Sequence, residues 1–416
     1  MPHDPAHAPL DRVLSDRAVQ PLYQPVVDLD RDVPVAYEAL ARGPQGDLHG
    51  PDRLFAAARA ADRLVELDWL CREQAVDTAR RSGLRHPLSL FINAEPETLL
   101  ASVGDGERWR QFADVRCYAE LTERALVADP ATLVRAVDQV REQDWGVAID
   151  DVGAHPASLA LLPMLKPDVI KLDLALLQAR PSGHGDVTVA RVLHAALSQA
   201  AATGAAVVAE GIETEEHLEL ARAYGVSYGQ GFLLGRPAPL PTDLRTPPAA
   251  VPLLPRLLDR TVAPGPFAVV SSSAVTRRVD RAGLREIARQ LLAQAAHQAP
   301  AAAVLVCANE PGLLGEAHAR LLSGLADGPL TAVLSCRPEI VPTGVRTCAL
   351  PDGDPATQDF DVVVVGPHYA AALVARRAMP AGDDDAMDAV LTFDRDLVTA
   401  AANSLVLRVA RESMQA

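Results

Sequence analysis

Lysine is almost missing from this chain of 416 residues: Lys166 and Lys171 are the two present, and every other basic side chain is arginine. Each surviving ammonium is therefore a position to account for, because lysine and arginine are not interchangeable in a site. Cysteine is scarce too. Cys71, Cys117, Cys307, Cys336 and Cys348 are odd in number, scattered and never in C-x-x-C spacing. That pattern argues against a disulfide framework and for a reducing, cytoplasmic compartment. No apolar run reaches the roughly 18 residues needed to span a bilayer, so no membrane insertion is expected. The start, MPHDPAHAPLDR, has no basic segment leading into an apolar one, so no signal peptide is expected. Positive charge is in deficit: 39 Lys and Arg stand against 54 Asp and Glu, a net charge of −15. A chain so acidic is a poor candidate for gripping duplex nucleic acid, which needs a basic face. A small anionic ligand stays open, because local cations can reverse the global sign.

What is present is a chain long enough for two or three domains at roughly 100–200 residues each. Its composition shifts most clearly at 236–257, where seven prolines stand in RPAPLPTDLRTPPAAVPLLPRL. Proline fixes φ and removes a donor, so this stretch is expected as a semi-rigid linker. It suggests a first domain over about 12–240, a linker at 241–262 and a second domain over 263–416. The first domain opens with PLYQPVVDLD and VPVAYEALA across a tight turn at Arg31-Asp32, a spacing that predicts an antiparallel hairpin. Short apolar runs then alternate with helical patterns: PLSLFIN, VRCYAELTE, GVAIDD, DVIKLD, AAVVAE and SYGQGF. That rhythm predicts an α/β fold, and seven or eight such strands fit a (β/α)8 TIM-like barrel better than an open sheet.

The ends of the apolar runs carry the chemistry. Glu38, Asn93, Glu120, the pair Asp150 and Asp151, Lys171, Glu210 and Gln230 each stand at or just past the end of one run. One charged residue after a strand is ordinarily a solvated loop residue or a helix cap. The same placement in successive units is different, because a barrel gathers its strand ends at one mouth. Carboxylates crowded there repel one another unless cations neutralise them. Oxygen donors without His or Cys favour hard ions such as Mg²⁺ or Mn²⁺, and so many suggest two ions, as used for displacement at phosphorus. Alternation along a strand would send Asp150 and Asp151 to opposite sides, one to each ion. Lys171 would be a cation near the attacked phosphate or the water.

These runs also form an ordered set: YQPVV at 23–27, YEALAR around Glu38-Ala39-Leu40, FIN at 91–93 and ELTE at 120–123. AIDD at 148–151, KLD at 171–173, AEGIE at 209–213 and YGQGF at 228–232 complete it. On those motifs, residues 12–240 resemble an EAL-type cyclic di-GMP phosphodiesterase domain. The resemblance implies a modified barrel with an antiparallel first strand, and hydrolysis of cyclic di-GMP to linear pGpG with two Mg²⁺ or Mn²⁺ ions. It implies metal ligation by Glu38, Asn93, Glu120, Asp150, Asp151 and Glu210. Lys171 would help activate water, Gln230 would orient it, and Glu123 would hold the loop after Asp151. Gln24, Leu40 and Arg42 would face the dinucleotide, and a lysine at 171 could be tuned toward neutrality as an arginine could not. The family usually follows its paired aspartates with Phe-Gly-Thr-Gly, whereas this chain has Val152-Gly153-Ala154-His155-Pro156. That departure bears on turnover and on a homodimer built around the loop.

The second domain shows FAVVSS, AAVLVCAN, LTAVLSC and DFDVVVVG as strand-like runs with helical stretches between them, a smaller α/β domain. The tail FDVVVVGPHYAAALVARR with AVLTFDRDLVTAAANSLV resembles a DICT-type sensory domain, which implies a signal or protein partner that regulates the barrel. The alternative to an active enzyme is a catalytically weak or inactive cyclic di-GMP receptor acting through protein interaction.

Overall fold

The computed structural model describes residues 8–101, 112, 114–122, 130–153, 159, 161–173, 186–254, 264–298, 302–336, 342–378 and 386–412. They fall into two compact units, drawn from 1–123, 136–154 and 167–256 and from 124–135, 155–166 and 257–416. In the first unit, strands β1 (Gln20–Asp28), β2 (Val33–Arg42), β3 (Ser89–Asn93) and β4 (Arg116–Thr122) run into β5 (Gly146–Val152). They continue through β6 (Val169–Leu172), β7 (Ala206–Ala209) and β8 (Tyr228–Gly229) to close a barrel in chain order. β1 is antiparallel to both β2 and β8, and β2 to β8 are mutually parallel. The expected hairpin is thus present. Asp28 builds its turn: Oδ1 accepts from the backbone N–H of Asp30 and Arg31 at 3.0 Å, and Oδ2 pairs with Arg31 at 2.8 Å.

The barrel interior is layered by the strand period of two. One buried cluster holds Val26, Ala36, Phe91, Tyr118, Ala148, Val169 and Val208, with Tyr228 packed against it. On every parallel strand this residue stands two positions before the polar residue that faces the mouth: Ala36 before Glu38, Phe91 before Asn93, Tyr118 before Glu120. On antiparallel β1 the offset reverses, Val26 following Gln24. A hydrocarbon floor therefore underlies each polar side chain of the mouth. The stretch expected as a linker is in part built into this floor. Val251 is 2% exposed and belongs to the cluster, and the Leu254 N–H donates to Asp168. Proline argues for a semi-rigid linker, but a segment without strand pairing can still be held by side-chain donors and acceptors.

The second unit contains a mixed sheet of seven strands: β9 (Arg277–Asp280), β10 (Ala303–Ala308), β11 (Leu330–Ser335), β12 (Arg346–Ala349), β13 (Asp359–Val365), β14 (Ala370–Arg377) and β15 (Ala386–Thr392). Their order is β12-β11-β10-β13-β14-β15-β9. β10, β11 and β12 are parallel, and the remaining pairs are antiparallel. The run FAVVSS is a helix, Pro266–Ser271, rather than a strand. Its apolar run is too short to fix a period, and Pro266 opens the first turn where a missing N–H costs nothing.

Asp28→Ala removes the acceptors that hold the β1–β2 turn. We expect a loss of about 1–3 kcal/mol, read as a lower urea midpoint at unchanged slope. An unchanged midpoint would show that the turn is held without the carboxylate.

Candidate functional site

Lys171 lies at the centre of the mouth, 1% exposed on β6. Its ammonium stands 2.7 Å from Glu120, 2.7 Å from Glu210, 3.1 Å from Asp150 and 3.3 Å from Glu38. Glu38 is the most fully bonded of the four. Its Oε1 accepts from Asn93 at 2.9 Å, and its Oε2 accepts from Gln230 at 2.6 Å and from Lys171 at 3.3 Å. Gln24 joins through Gln230, at 3.3 Å, and donates to the Gly235 carbonyl at 3.0 Å. Gln230 is aimed by a close backbone approach: a Cβ on Gly231 would collide with the backbone of Ile212, whose N–H donates to the Gln230 carbonyl at 3.0 Å.

Asp151 joins by a different route than alternation predicts. β5 slips its register against β6 between Ile149 and Val152, and Asp151 adopts a left-handed φ of 57°. This bulge breaks the strand period, so ligand oxygens of Asp150, Asp151 and Glu210 lie within 4.8 Å of one another. The two aspartates therefore share one locality instead of facing opposite ways.

The electrostatics follow from crowding. Burial, then the Glu38 charge, lift Glu120 well above the usual carboxylate range. Burial also lifts Glu210, against the pull of Lys171 and with the charges of Asp150 and Glu38 adding to it. Asp150 goes the other way: burial is outweighed by the Lys171 charge and by hydrogen bonds with Glu210 and Lys171. Asp151 is raised by burial, Asp150 and Asp173. Asp173 is a carboxylate that sequence reasoning passed over, although it closes the KLD run. At Lys171 burial favours the neutral amine, but Asp150, Glu120, Glu210 and Glu38 overcome it and hold the ammonium firmly. The tuning toward neutrality implied by the resemblance is thus not the state of this arrangement, because the carboxylates dominate.

The donor set fits divalent cations. Five carboxylates surround one ammonium; apart from the Lys171 ion pairs, both Glu120 oxygens and Asp150 Oδ1 are buried without a hydrogen-bond partner, as is the Gln230 carbonyl oxygen. Buried oxygen donors left unbonded beside excess negative charge suit a hard ion. Leu40 and Arg42 are half-buried on β2 beyond Glu38, with Arg42 donating to the Ala41 carbonyl at 2.9 Å rather than joining the cluster. Glu123 and residues 154–156, His155 included, lie outside the described residues. Phe232, 46% exposed just past Gln230, carries the Arg236 guanidinium 4.2 Å from its ring centre. Nothing in a single phenylalanine of the sequence marked that pair.

Residues 8–237 match the family model described as EAL domain. The chain belongs to that family. Its relatives include a protein named cyclic di-GMP phosphodiesterase NbdA, from Pseudomonas aeruginosa, 31% identical over 240 residues that cover 56% of this chain and 30% of that one. Another, from Escherichia coli, is named probable cyclic di-GMP phosphodiesterase PdeB; it is 30% identical over 247 residues, 58% of this chain and 46% of its own. The chain thus spans less than half the length of these curated relatives. The EAL domain of Xanthomonas citri FimX, solved with c-diGMP, aligns with a TM-score of 0.50 at 20% identity, covering 58% of this chain and 96% of that one. That likeness speaks for the barrel fold alone. Among the described residues, no helix is long and apolar enough to cross a membrane.

Carboxyls raised in the folded state hold protons that the unfolded chain has released, so stability falls as pH rises through that interval. Glu120, Glu210 and Asp151 act in this sense. Lys171, raised above its ordinary value, contributes constantly below about pH 10. In chelator, the melting temperature should therefore fall from pH 5 toward pH 8. Mn²⁺ at 100 times its Kd should add about 2.7 kcal/mol and oppose that fall. A metal-free melting temperature that climbs with pH would contradict the charge assignment.

Proposed function

We propose that this EAL domain hydrolyses one phosphodiester of cyclic di-GMP to linear pGpG, with Glu38, Asn93, Glu120, Asp150, Asp151 and Glu210 holding two Mg²⁺ or Mn²⁺ ions. The observation that carries this reading is the surplus of buried, underbonded carboxylate oxygen around Lys171. The family membership and the names of the relatives agree with it. Bound divalent ions would supply charge neutralisation at the phosphate and a deprotonated water at neutral pH.

The chain's own groups do the rest. Glu38 is fixed from both sides, by Asn93 on Oε1 and by Gln230 on Oε2, so its orientation is set before substrate arrives. Gln230 keeps a free carbonyl oxygen with which to orient a water or ligand. Lys171 places a positive charge beside the reacting phosphate. Once the carboxylates are neutralised, the field that holds its proton is gone and burial pulls its pKa down. Water adds to phosphorus, the P–O3′ bond breaks and the leaving oxygen takes a proton, giving one 5′-phosphate and one free 3′-hydroxyl. Arg42 suits the second phosphate, with Gln24 and Leu40 against the nucleotide. Glu123 is assigned to the loop after Asp151.

For the second unit we propose a DICT-type sensory module that regulates the barrel, supported by the sequence of β13 to β15 and the helix after them. A homodimer and a cytoplasmic site of action go with this reading of a second-messenger enzyme.

Chromatography of cyclic di-GMP after incubation with the full chain and Mn²⁺ tests the proposal. Glu38→Ala should abolish formation of pGpG, and normal turnover in that variant would remove Glu38 from the metal set. Lys171→Ala should cut kcat by about 100-fold or more with a smaller effect on nucleotide affinity. A loss of affinity with kcat unchanged would make Lys171 a binding residue only.

A further inference from the structure

Glu120 has an unusual means of support. Among the described residues its carboxylate pairs with Lys171 at 2.7 Å and has no further hydrogen-bond partner. Its position is therefore set from below, by strand β4 and by Tyr118 two residues earlier. Tyr118 is buried and stacks on Phe91, their ring centres 4.9 Å apart and 25° from parallel. Ala36 and Ala148 are small, which leaves the middle of the floor to these two rings.

What keeps the rings in place comes from outside the segment matched by the family model. The Tyr118 hydroxyl donates to the carbonyls of Val251 and Pro252, each at 2.9 Å, and the Val251 side chain enters the floor. Three residues on, the Leu254 N–H donates to Asp168 Oδ1 at 2.6 Å, while Asp168 Oδ2 accepts from the Val147 N–H at 2.7 Å. Asp168 thus ties this segment to β5, three residues before Asp150, and itself stands three residues before Lys171. Interiors packed to crystal density transmit such constraints, and a void under the rings would release them.

We propose that residues 251–254 plug the barrel floor, and that Val251, Tyr118 and Asp168 are positioning residues that set Glu120, Asp150 and Lys171 for cation binding and turnover. The turnover half rests on the phosphodiesterase reading; the cation half does not. Supporting groups behind metal ligands commonly change affinity or activity about 10-fold or more when removed.

The test uses the full chain, with Mn²⁺ binding read by calorimetry and hydrolysis of cyclic di-GMP read separately. Tyr118→Phe deletes both hydrogen bonds and keeps the ring, and Val251→Ala opens the floor. Each should weaken Mn²⁺ binding about 10-fold and lower kcat by a similar factor, with KM shifted less than about 2-fold. Val65→Ala, at a side chain 40% exposed outside the segment, should change neither. Leu67→Ala, fully buried in a separate core cluster, should lower the melting temperature without moving the Mn²⁺ affinity. Unchanged Mn²⁺ affinity in both floor variants would overturn the proposal, as would an equal loss in Leu67→Ala. A wild-type chain that binds Mn²⁺ but leaves cyclic di-GMP intact would defeat the enzymatic reading, and the Mn²⁺ affinities would still decide the role of the plug.

Discussion

The barrel mouth is governed by a charge imbalance that no side chain of the cluster corrects. One buried ammonium is in contact with four carboxylates, and a fifth lies close by. Isolated buried charge is costly, and pairing offsets that cost only when the geometry and the count both work. Here the count fails. Two responses follow from the crowding: burial beside Asp150 and Glu38 raises the Glu210 carboxyl well above its usual range, and four carboxylates raise the Lys171 ammonium above its own. A site with spare negative charge of this kind favours cations, and its stability and chemistry are both coupled to binding them.

The fold makes this arrangement tolerable by separating the layers. Each parallel strand carries hydrocarbon two residues before its polar side chain, and the strand period keeps the two on one inward line in separate layers. The bulge at Asp151 is the local exception. Its left-handed backbone brings a second aspartate to the same place as the first, which regular pleating would have sent outward.

Much of this was legible in the sequence. The two-residue turn between two extended runs forced an antiparallel hairpin, and β1 pairs with β2 as that requires. The polar residue closing each apolar run marked the mouth, and Glu38, Asn93, Glu120, Asp150, Lys171, Glu210 and Gln230 do converge there. Other features could not be read. The bulge depends on a register shift, which a string of letters does not carry. Lys171 holds its proton because of where four other strands end, so no local pattern revealed it. The seven prolines of 236–257 described the conformational freedom of that segment but not its hydrogen-bond partners, and Tyr118 and Asp168 supply those from 133 and 86 residues away. FAVVSS became a helix because four apolar residues have no period of their own.

The two units also meet the problem of unpaired strand edges in opposite ways. A closed barrel has none, so its eight strands need no guard against pairing with a neighbour. The seven-stranded sheet ends at β9 and β12, each four residues long. β9 reads Arg-Arg-Val-Asp, and β12 begins with an exposed arginine. Short, charged borders are poor templates for a further strand, so the chain confines its resistance to edge-to-edge aggregation to eight residues at the two margins of one sheet.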